Sequence, residues 1–76
     1  MQEIIEILQS VRGDIDFTNA TNLVSDGIIT SFDILQIVMK LEEEFDIEIE
    51  PQYIEPENFN SAKAIKEMIE KLKNAN

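Results

Sequence analysis

Ile4, Ile5, Leu8 and Val11 recur at the spacing of an amphipathic helix, with Glu3, Glu6 and Gln9 between them. Gly13 is the expected stop, because glycine readily adopts the left-handed conformation that ends many helices. From Asp14 to Ile29 no period holds, and Asp, Asn, Thr and Ser dominate. This segment reads as a long loop pinned to the core by Phe17, Leu23 and Ile28. A structureless loop of that length in a small domain is usually functional or else evidence of a wrong assignment.

Ser31 to Phe45 carries the strongest helical pattern. Thr30-Ser31-Phe32-Asp33 matches a capping box: Thr30 caps a backbone N–H and Asp33 lies in the first turn, facing the positive dipole end. A short element is expected at Pro51–Ile54, opened by one proline and broken by Pro56. Ser61 reads as the N-cap of a last helix running to about Lys73, with Ala62, Ile65, Met68, Ile69 and Leu72 on one face and Lys71 and Lys73 in its final turn. Ile47-Glu48-Ile49 alternates like a strand but has no partner run elsewhere, so the strand is rejected. The expectation is an all-α domain of three main helices and one short one.

The second helix has one stripe too many. At about 100° per residue from Ser31, the residues Ile34, Val38, Leu41 and Phe45 fall between about 280° and 340°, with Ile37 nearby. Those form a core face. Phe32, Leu35 and Met39 fall at about 40° to 100°, well away from it. Either the bundle wraps around the helix and buries both stripes, or the second is a partner surface, apolar in the middle and acidic at the rim. Ser31, at the positive end of this helix, is a first-turn serine and also a good place to hold a phosphate ester.

Composition narrows the chemistry. Within 76 residues there are 16 acids and 6 bases, a formal charge of −10, and neither histidine nor cysteine. A Cys/His metal centre and an imidazole-dependent triad or dyad are excluded. The net field disfavours nucleic acid and anionic membranes. No apolar run approaches a membrane span, and the N-terminus lacks a signal-like basic and apolar pair of regions. A cytoplasmic monomer of one domain, residues 1–76, is expected. Residues 26–57 hold ten acids against one lysine, so the charge concentrates on the second helix and the segment after it.

The run Asp26-Gly27-Ile28-Ile29-Thr30-Ser31-Phe32-Asp33-Ile34-Leu35, continued to Leu41-Glu42-Glu43-Glu44-Phe45, resembles an acyl carrier protein. The layout agrees over nearly the whole chain, and the segment from Ser31 to Ile49 carries the specific match. The resemblance implies an acyl-carrier-like four-helix bundle that is not an enzyme. It implies that Ser31 is esterified with 4′-phosphopantetheine from coenzyme A by a separate, magnesium-requiring phosphopantetheinyl transferase. The arm's thiol then carries an acyl or aminoacyl group as a thioester, a role that needs no cysteine of the chain's own. Phe32, Leu35 and Met39 match apolar partner-contact positions. Asp33, Glu42 and Glu43 match acidic positions that meet basic patches on ligases, synthases or transferases. Two departures bear on the cargo, which spans fatty acyl, aminoacyl and polyketide units. Thr30 replaces the family's usual Asp, and Gln36 stands where carriers of fatty acid biosynthesis commonly have Glu. The Asp26–Ile29 lead-in looks more like the D-alanyl and other stand-alone carriers that work with adenylating ligases.

Rival readings are weaker. Asp14-Ile15-Asp16-Phe17-Thr18 resembles the start of a calcium loop, but its sixth position is Asn19 and its twelfth Ser25. Glu42-Glu43-Glu44 cannot converge on one substrate atom, since consecutive helical residues diverge. An unmodified acidic helical interaction module is the alternative from another class.

Overall fold

Apolar periodicity and caps place four α-helices in the computed structural model, which describes residues 1–74. They are α1 (Gln2–Val11), α2 (Ser31–Phe45), α3 (Pro56–Phe59) and α4 (Ala62–Asn74), with a single 3₁₀ turn at Pro51–Tyr53. No strand forms among the described residues. The all-α, four-helix layout with a short third helix is the acyl-carrier-like one.

Several boundaries differ from expectation, each for a local reason. α1 ends at Arg12 in an extended conformation (φ −137°, ψ 92°), with the Arg12 N–H donating to the Leu8 carbonyl. The left-handed conformation falls instead on Asn22, Gly27 and Asp46. Asp46 closes α2, its N–H donating to Glu42 O. The short element expected at Pro51–Ile54 forms as the 3₁₀ turn Pro51–Tyr53, opened by Pro51, and Pro56 after it opens the further short helix α3. Both prolines occupy a first helical position, where a missing N–H removes no internal bond. Ile49 is buried, Ile47 half-buried and Glu48 exposed. The alternation that resembles a strand therefore belongs to an irregular segment that turns its isoleucines toward the core and Glu48 to solvent.

The core lies between α1, α2 and α4, where Leu8, Ile37, Leu41 and Ile65 are fully buried. Phe17 and Leu23 anchor the long loop as expected, but the third anchor is Ile29; Ile28 turns outward and is 38% exposed. The loop is far from structureless. Leu23 O accepts from the N–H groups of Ile28 and Ile29, and Asp26 N donates to Asn22 O at 2.8 Å. Asn60, between α3 and α4, holds the loop from outside. Its backbone carbonyl accepts from Leu23 N, its side-chain oxygen accepts from Val24 N and Ser25 N, and its amide donates to Ser25 Oγ. Ser61 caps α4 as expected, accepting from Ala64 N. At the far end of the bundle the Lys73 ammonium sits 5.7 Å from the centre of the Phe45 ring.

Candidate functional site

The start of α2 is built by its neighbours in sequence. Buried Ile29 fixes the end of the loop, and Thr30 follows in extended conformation as the N-cap. Thr30 Oγ1 accepts from Asp33 N at 3.2 Å, and Asp33 Oδ2 accepts from Thr30 N at 2.9 Å. This is a complete capping box, and losing such a threonine typically costs about 1 kcal/mol. Ser31 and Phe32 are the two residues inside the box, and both side chains are exposed. Because Thr30 does the capping, the Ser31 hydroxyl makes no hydrogen bond to the described residues. Helix geometry also leaves the first backbone N–H groups of α2 without intrahelical acceptors, so an anion there meets donors and the positive end of the dipole.

The second stripe of α2 is on the surface. Phe32 and Met39 are each 67% exposed and Leu35 56%, whereas Ile37, Val38 and Leu41 face the core. The bundle does not wrap around the helix. Ile34 and Phe45 lie at the edge of the core face and are half-buried.

The acidic positions divide. Glu43 is exposed. Glu42 is half-buried, and its Oε2 accepts from Ile49 N at 2.9 Å, tying that irregular segment back to α2. Asp33 departs most from the partner-facing role the resemblance implies: it is 7% exposed and its carboxylate is occupied within the fold. Besides Thr30 N, Asp33 Oδ2 accepts from Arg12 Nη1 at 2.9 Å. The Thr30 N–H holds the Asp33 carboxyl below the usual carboxylate range against the opposing effect of burial, and Arg12 adds to the lowering.

Arg12 went unread in the sequence. Its guanidinium makes a two-pronged contact with Asp14, Nε to Oδ1 at 3.0 Å and Nη2 to Oδ2 at 2.9 Å. It reaches the Ile28 carbonyl at 3.4 Å as well as Asp33. These bonds, to Asp14 first and Asp33 second, hold the guanidinium more firmly protonated, and the one to Arg12 lowers Asp14 in turn. The available signal was that Arg12 is the chain's single arginine, placed where the first helix ends. For Asn60 there was no such signal, since an asparagine before an N-cap serine is unremarked by any periodicity.

No protein-family model matches the chain. It is similar to a D-alanyl carrier protein of Lactococcus lactis subsp. lactis (strain IL1403), 27% identical over 77 residues that cover 99% of this chain and 98% of the relative. The likeness is end to end, so it includes the loop, the capped serine helix and the two helices after it. The relative's name accords with the Asp26–Ile29 lead-in, which resembles that of D-alanyl carriers.

Proposed function

We propose that the protein is a carrier, a single domain over residues 1–76 with Ser31 as the attachment point for 4′-phosphopantetheine. The observation that carries this reading is the division of labour at the start of α2. Thr30 supplies the cap, and the adjacent Ser31 hydroxyl is exposed and unbonded. A serine needed only to cap the helix would have its oxygen on a backbone N–H. The residues fit the group: the ester phosphate would sit beside the open N–H groups of Ser31 and Phe32. When attached, the arm supplies a thiol that holds an acyl or aminoacyl group as a thioester.

The chain's own residues then present and deliver. Phe32, Leu35 and Met39 offer apolar contact area beside the attachment point, with Glu43 on the same helix for basic patches of partner enzymes and half-buried Glu42 left with only the oxygen that Ile49 N does not occupy. Aminoacyl cargo, loaded by an adenylating ligase, is favoured over fatty acyl cargo by the lead-in to the serine and by the relative's name. The reading includes a monomer working in the cytoplasm.

Intact-mass measurement tests it. Incubated with coenzyme A, magnesium and a broad-specificity phosphopantetheinyl transferase, the protein gains one phosphopantetheine, and Ser31→Ala gains none. No gain across several transferases leaves the unmodified interaction module as the better reading.

A further inference from the structure

Arg12 lies outside α2, yet it bonds to three separate segments: Asp14 at the loop's start, the Ile28 carbonyl at its end, and Asp33 in the first turn of α2. Its side chain is 31% exposed and that of Asp33 11%, so this ion pair is far better shielded than the Arg12–Asp14 pair, where Asp14 is 66% exposed. The oxygen that receives Arg12, Asp33 Oδ2, is the same one that closes the capping box. The clamp and the cap are therefore a single unit, and Ser31 is held inside it.

The charges make the arrangement specific. A carboxylate suits a helix N-terminus, but it also competes there with any other anion. Asp33 is two residues beyond Ser31, so an ester phosphate on Ser31 must share the same helix end with it. A guanidinium bonded to Asp33 offsets that competition while leaving the carboxylate in place to cap. A shielded carboxylate left without its cation is costly, so removal of Arg12 acts on Asp33 directly.

We infer that Arg12 is a positioning residue for the modification of Ser31: by pairing with Asp33 it fixes the capping box that presents the serine and neutralises the carboxylate in the same first turn. This rests on the carrier reading above. In the transfer, Ser31 Oγ bonds to the pantetheine-side phosphorus of coenzyme A. The P–O bond to adenosine 3′,5′-bisphosphate breaks, that fragment leaves, and the hydroxyl proton passes to solvent or to a base of the transferase.

The test is a set of transfer time courses, read by intact mass, at a temperature where circular dichroism finds every variant folded. Arg12→Gln slows transfer roughly tenfold, a loss within the range that misplacement of reacting groups produces. Arg12→Lys keeps the charge without the fork and stays within roughly threefold of the wild type. Arg12→Gln combined with Asp33→Asn is no slower than Asp33→Asn alone, because no carboxylate is left to neutralise. Ile69→Val, a buried change in α4 that lowers stability only, keeps the wild-type rate. A wild-type rate in Arg12→Gln overturns the inference, as does an equal slowing by Ile69→Val or a double variant slower than Asp33→Asn. In each of those cases the wild type is still modified and the carrier reading stands. An unmodified wild type overturns both.

Discussion

At the scale of single residues, the site is a matter of which oxygen is already occupied. Thr30 Oγ1, Asp33 Oδ2 and Glu42 Oε2 each accept a backbone N–H, while the Ser31 hydroxyl and the Glu43 carboxylate remain for outside partners. Asp33 carries a consequence for pH. Its folded pKa is lowered by Thr30 N–H and Arg12, so its contribution to stability is complete above the ordinary carboxylate value of 3.8. That contribution is lost as the pH falls through the lowered folded value. Thermal midpoints measured below about pH 4 should therefore fall less steeply for Asp33→Asn than for the wild type. Parallel slopes would mean that Asp33 is no more stabilised in the folded state than in the unfolded one. The capping role of Asp33 was legible in the Thr-x-x-Asp spacing, but its ion pair was not. Arg12 is 21 positions away, and no short-range pattern connects them.

At the scale of elements, α2 works on two faces, and substitutions on them should separate cleanly. Met39→Glu changes a residue that is 67% exposed and should alter stability by less than about 0.5 kcal/mol. If the stripe docks a loading enzyme as proposed, the same change cuts loading about tenfold or more, as expected for a contact at the centre of an interface. Ile37→Ala empties a fully buried position and should cost about 2–5 kcal/mol in thermal or denaturant unfolding. If Met39→Glu loads normally, the exposed stripe is not where that partner docks. The helices themselves were readable because period, caps and charged ends agree in α1, α2 and α4. The linking segments were harder. Gly13 and Pro56 are ambiguous punctuation: glycine near a helix end need not take positive φ, and a proline that stops one turn can start the next. Adjacent Ile28 and Ile29 could not be told apart either, since in a loop without period nothing in the sequence decides which one turns inward. The backbone bonds to Leu23 O and the path into Thr30 decide it.

At the scale of the whole molecule, charge is arranged by region. Residues 26–57 hold ten acids and one lysine, whereas residues 58–76 hold four lysines and two acids. Such an asymmetric field steers encounter with a basic partner and is weakened by salt. The association rate with a loading or modifying enzyme should thus fall about tenfold as ionic strength rises from about 0.05 to about 0.5 M. Stopped-flow measurement over that range tests it, and a flat profile would mean that apolar contact alone governs the encounter. One further consequence follows from Asn60, whose bonds reach back 35 and 36 positions to Ser25 and Val24. During synthesis the N-terminal end of a domain emerges first. A nascent chain shorter than 60 residues has the whole serine motif but lacks the residue that shapes the approach to it. The lead-in to Ser31 therefore takes its final form only once most of the domain has been made.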